Sequence, residues 1–140
     1  MIRPLTVESD IHFERRGRGS RRVLESGADP AADRPVGRLA RVTRLMALAI
    51  RFDKLIQAGE VADYSALAHL GHVTRARVTQ IMNLLMLAPD IQEEILFLSR
   101  VTGGRDPIHL RQLQPIALVP DWKKQRKMWK ELMTTSEWPC

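Results

Sequence analysis

The strongest constraint on the fold is a run of apolar residues at helical spacing. Leu39, Val42, Leu45, Met46, Ala49, Phe52 and Ile56 recur at steps of three and four. In an α-helix such positions share one face, and that face must be buried. The spacing predicts a first helix over 36–58. Asp33 can cap its start, Pro35 suits its first turn, and Gly59 can close its end. Arg41, Arg44, Arg51 and Lys54 fall away from the apolar stripe. They form either an ordinary solvated face or, for Arg41, Arg44 and Arg51, contacts to phosphate. Aromatic residues are only 5% of the chain, while Leu, Ala, Arg and Met are plentiful. That mix favours helices over strands.

The same pattern continues. Asp63 is a good N-cap for a short helix over 64–70, with Leu67 and Leu70 inward. Gly71-His72-Val73 breaks the chain, and Thr74 caps a third helix over 75–86. Val78, Ile81, Met82 and Leu85 share its inner face. A short helix, a tight turn and a longer helix outline a helix-turn-helix. Pro89, with Asp90, Glu93 and Glu94 at the positive helix end, starts another helix, with Ile91, Ile95 and Leu98 inward. Val101–Arg105 is a loop. Asp106-Pro107 is expected to begin a further short helix, with Ile108 and Leu113 inward and Pro115 limiting its length. Ala117–Pro120 is an apolar linker, and Asp121 caps a last helix over 122–133. Its Trp122 and Trp129 are seven apart and share a face, which packs on the core or docks on a partner chain. Lys123, Lys124 and Lys127 are then free to face solvent or phosphate.

The expected fold is therefore all-α: a multi-helix domain over 36–120 built around the helix-turn-helix, followed by a basic amphipathic helix and tail over 121–140. Residues 1–35 read as a mobile basic arm, because apolar residues are sparse there and show no period. The arm is either a solvated tail or a segment that orders on DNA.

Charge adds a direction. The net charge is +6. Residues 1–35 hold seven arginines against six acids, whereas 36–140 hold fifteen basic residues against ten acids. The excess sits on the folded part and points to an anionic partner. Several classes are disfavoured. No apolar run approaches the length of a membrane span, and no apolar leader opens the chain. The single cysteine, Cys140, excludes a disulfide scaffold and a cysteine metal site. His12, His69, His72 and His109 lack metal-ligand spacing. No glycine-rich phosphate loop follows a strand, and Glu93-Glu94 fits a helix start better than an acid–base pair. The expectation is a cytoplasmic, nucleoid-associated protein that is not an enzyme and needs no cofactor, metal or membrane.

The third helix carries the chemistry. With its apolar residues buried, the opposite face presents Arg75, Ala76, Thr79, Gln80 and Asn83. Arg pairs with guanine O6 and N7, Gln and Asn pair with adenine N6 and N7, and Ala and Thr methyls meet the thymine methyl. Thr74 and Arg77 flank this set and suit phosphate. Spacing alone equally allows a merely solvated polar face.

The stretch from Leu67 to Gln92 resembles the helix-turn-helix of the ParB/KorB family. The matching places are Ala68, Thr74-Arg75, Val78, Leu84-Leu85-x-Leu87 and Pro89-Asp90-Ile91-Gln92-Glu93. The likeness is close over 67–92 and looser over 60–115. It implies sequence-specific binding of double-stranded DNA in a bacterial setting. It further implies a regulator of transcription, or an accessory protein in recombination or segregation of a mobile element. Partners would be a second copy or a recombinase-type protein. Two departures stand out. The family's turn glycine falls at His72, with Gly71 one place earlier, so the chain turns at Gly71 or His72 becomes left-handed. ParB proteins also carry a nucleotide-binding domain before this motif. Here Glu14-Arg15-Arg16 echoes a family motif without expected flanking strands, so an isolated DNA-binding module is expected. The alternative is a protein-interaction module using the Trp-bearing last helix, with charge serving solubility. RNA binding is weaker still, for want of aromatic platforms.

Overall fold

Of the 140 residues, the computed structural model describes 8–9, 11–16, 21–27 and 36–136. The chain divides into two units, Met1–Val36 and Gly37–Cys140.

In the first unit, β1 (Ile11–Arg16) and β2 (Arg21–Ser26) pair antiparallel. The register sets Ile11 opposite Ser26, Phe13 opposite Leu24 and Arg16 opposite Arg21. A hairpin was not expected within 1–35. Its signal is short: apolar residues at Ile11, Phe13, Val23 and Leu24 flank a stretch bearing Gly17 and Gly19. Glu14-Arg15-Arg16 thus ends a strand. The cap and first-turn residues expected at Asp33 and Pro35 lie outside the described residues.

Gly37–Cys140 is an all-α unit. Its described helices are α1 (Arg41–Gln57), α2 (Tyr64–Leu70), α3 (Arg75–Met82), α4 (Pro89–Leu96), α5 (Leu110–Ala117) and α6 (Trp122–Thr135). A 3-10 turn, Asn83–Met86, continues α3. The principal core gathers Val42, Met46 and Ala49 of α1, Ile91 and Ile95 of α4, Leu113 and Ile116 of α5, and Trp129 of α6. A smaller core holds Val61, Leu67, Ala68, Val78 and Met82, closing α2 and α3 against Phe52, Leu55 and Ile56 of α1.

α1 starts later than its apolar spacing predicts. Arg38 is drawn into an antiparallel bridge with Val101, with N–O distances of 3.0 and 2.9 Å. Residues 38–40 therefore stay outside the helix, and Leu39 stays partly exposed. Gly37, at φ +93°, makes the bridge possible, since a Cβ there would lie 2.8 Å from the Val101 carbonyl oxygen. Asp106 does not begin a helix as expected. It caps α1 instead: its Oδ2 accepts from the Arg41 backbone N–H at 2.8 Å, while its Oδ1 holds the Arg38 guanidinium. Its side chain keeps only 8% exposure. That burial disfavours the charge, but the Arg41 N–H and the Arg38 guanidinium together hold its carboxyl below the usual carboxylate value. Pro115 lies inside α5 rather than ending it.

Two inward assignments shift. Leu70 is 68% exposed, because the inner stripe of α2 runs through Tyr64, Leu67 and Ala68. After Met82 the tighter 3-10 winding advances the phase, so Leu84 is fully buried and Leu85 only half. The tryptophans also separate. Trp129 enters the core and its indole N–H donates to Glu94 Oε2 at 2.6 Å, whereas Trp122 remains 48% exposed.

Candidate nucleic-acid interface

The site is built from the α2–α3 connection outward. Asp63 caps α2 by accepting from the Ala66 N–H at 2.9 Å, and Thr74 caps α3 by accepting from the Arg77 N–H at 3.2 Å. Between them the chain turns at His72, whose φ is +51°. Among the described residues it is the one non-glycine in the left-handed region. Gly71 takes an ordinary right-handed conformation. Of the two turns the sequence allowed, the molecule uses the costlier one.

This turn presents the start of α3. Val78, Ile81 and Met82 point into the core, and Arg75, Ala76, Thr79 and Gln80 are exposed on the other side. Arg75 and Thr79 stand one turn apart, as do Ala76 and Gln80, so four candidate base-reading side chains form a patch two turns long. The Thr79 hydroxyl donates to the Arg75 carbonyl at 3.1 Å.

Asn83 does not belong to that patch. It is half-buried at the start of the 3-10 turn, and its Nδ2 donates to Gln114 Oε1 at 3.1 Å. Gln114 in turn donates to the Gln80 carbonyl at 2.7 Å. α5 therefore crosses the end of α3 and ties it down, so its open face is confined to the first two turns. Sequence periodicity cannot register this, because α5 is about thirty residues away along the chain.

Arg77 sits at the edge, half-buried, and its guanidinium donates to Gln80 Oε1 at 3.5 Å. From there a groove runs toward the start of α1. Arg77 and Arg111 line a depression of about 580 Å³ between α3 and α5, with Gln80 and Leu118. The same two arginines adjoin Arg41 and His109. Arg41 and His109 then join Arg44, Arg105 and Arg38 around a cavity of about 640 Å³. Among the described residues, Asp106 is the only carboxylate lining this course. Arg38 is the arginine it pairs with, and among the described residues the other five guanidiniums have no carboxylate within ion-pair distance.

The groove includes Arg41, Arg44 and Arg77 of the expected phosphate contacts, and Thr74 is exposed beside α3. Arg51 is exposed on the Arg44 face of α1, two turns farther on, outside the groove lining. Lys123, Lys124 and Lys127 are exposed on α6, which packs on α5 and is pinned to α4 by Arg126 on Asp90 at 2.9 and 3.2 Å. That guanidinium also holds the Asp90 carboxyl below its usual value. Nothing in the described contacts brings these lysines beside α3. Arg111, Arg105 and His109 were missed from sequence, because they come together with α3 only through the tertiary placement of α5 and its preceding loop.

Among the described residues, no group of three or more His, Cys, Asp or Glu is placed to hold a metal ion, and no helix is long and apolar enough to cross a membrane. No protein-family model, curated protein or solved structure matches the chain.

Proposed function

We propose that the chain binds double-stranded DNA, with the first two turns of α3 in the major groove. Arg75, Ala76, Thr79 and Gln80 would contact base edges. Thr74, Arg77, Arg41, Arg44 and Arg111 would hold the flanking phosphates. The observation that carries the proposal is a juxtaposition. At Gln80 and Arg77 the exposed side of α3 meets a groove whose described lining holds six arginines and one carboxylate. A merely solvated face has no reason to adjoin such a groove. The likeness to the ParB/KorB helix-turn-helix supports the same reading, and with it a bacterial, nucleoid-associated regulator or accessory protein of a mobile element. A single short helix buries little DNA surface, so a homodimer on two half-sites fits best. Sedimentation of a monomer both free and on DNA would argue against that.

A second reading has one observation in its favour: Trp122 stays half-exposed, as an anchor for a protein partner would. A salt titration of DNA affinity, followed by fluorescence anisotropy, separates the two. Counterion release at four or five phosphate contacts should give a slope of roughly −4 in log affinity against log salt. Absence of DNA binding at low salt would remove the proposal and leave the protein-partner reading.

A further inference from the structure

We infer that the cavity between the start of α1 and the loop before α5 is a phosphate-binding site in its own right. It holds either a backbone phosphate of nucleic acid leaving α3 or a free oligophosphate.

Three observations build the site. First, its walls are fixed. The Arg38–Val101 bridge, the Asp106 cap on Arg41 and the bond from the Arg38 guanidinium to the Gly104 carbonyl at 3.0 Å lock loop to helix. Second, its charge is unbalanced. Arg44 and Arg105 are exposed, and neither has a carboxylate partner among the described residues, while Asp106 is spent on Arg38 and on the helix end. Third, its size of about 640 Å³ suits a small polyanion. The helix end itself is not the binding element, because the Arg41 N–H is already taken by Asp106. The guanidiniums are, and planar guanidinium forks match phosphate oxygens in pairs.

The inference extends the DNA reading without depending on it. The test titrates the full chain with inorganic pyrophosphate, reading backbone amide shifts, and measures the salt dependence of binding to a duplex. Arg44→Gln and Arg105→Gln are compared with Lys130→Gln, an exposed cation on α6. Thermal melts verify folding of each variant. Saturable pyrophosphate shifts at 41–45 and 104–109, weakened at least tenfold by Arg44→Gln or Arg105→Gln but not by Lys130→Gln, support the site. If pyrophosphate then displaces the duplex, the natural occupant is a DNA phosphate. If it binds without competing, or the chain binds no DNA at all, the occupant is a free oligophosphate. Without pyrophosphate saturation, a salt slope reduced by about 1 in each cleft variant still supports a DNA phosphate there. Shifts insensitive to both variants, or no shifts with unchanged slopes, overturn the inference.

Discussion

The main body of the helical unit and the α2–α3 pair are held together in different ways. In the main body, polar partners lie far apart in sequence. Asp106 reaches Arg38 and Arg41 across 68 and 65 residues, and the buried Thr43 hydroxyl donates to the Ile95 carbonyl across 52. Gln125 is fully buried. Its Oε1 accepts from the Ala88 N–H at 2.8 Å, and its Nε2 donates to the Met86 and Val119 carbonyls at 3.0 and 2.7 Å. In the α2–α3 pair, by contrast, each cap acts across three residues, at Asp63 and at Thr74. Its core is five buried residues. The body depends on a few groups that each satisfy several others. The caps of the pair are small local terms, and its one long-range polar tie, Gln114 on the Gln80 carbonyl, lies at the end of α3, which leaves the exposed side of its first turns free to be specified by function.

If that contrast holds, single changes in the body should cost far more than single changes in the pair. The largest effect is expected at Gln125→Ala, which orphans one buried N–H and two carbonyls and opens a cavity. A loss of about 4 kcal/mol is expected in urea denaturation. A loss below 1 kcal/mol would break the contrast.

Gly37→Ala comes next, at about 2 kcal/mol, from the close approach to Val101 and the left-handed backbone. The clamp it supports has a pH signature. The folded Asp106 carboxyl titrates below its unfolded value, so its contribution is present above the ordinary carboxylate range and is lost as pH falls through the folded value. Acid denaturation of Asp106→Asn should lack that component, seen as a shallower fall in stability below about pH 4.

In the pair, Asp63→Ala and Thr74→Ala should each cost only about 1 kcal/mol. His72→Gly should act in the opposite direction, raising stability by about 0.5–1 kcal/mol as left-handed strain is relieved against glycine's added entropy. Differential scanning calorimetry would resolve its sign. A destabilised His72→Gly protein would mean that the imidazole does structural work at the turn.

The same contrast decides what was legible in the sequence. Helix faces and local caps were readable, because they depend on spacings of three and four. The bounds of α2, the start of α3 and the caps at Asp63, Thr74 and Asp121 follow from neighbouring residues alone. Long-range partners were not readable. Asp106 looked like a helix start because Asp-Pro often is one, yet its real partners lie on α1. Asn83 looked free because helical phase puts it beside Ala76 and Thr79, yet Gln114 occupies its amide. The four residues of the open α3 face were legible, but the arginines brought beside them by α5 were not.

The most direct test of the central claim is selection of bound sequences from a random double-stranded library, run on the unaltered chain and three variants. A recovered motif is the expected result. Arg75→Ala and Gln80→Ala should each relax it at distinct positions, by roughly 1–3 kcal/mol per lost base contact. Asn83→Ala should leave the base preferences unchanged, because its side chain is half-buried and its amide nitrogen is bound to Gln114 of α5. No enrichment, or a motif that ignores Arg75 and Gln80, would contradict the claim that α3 reads DNA.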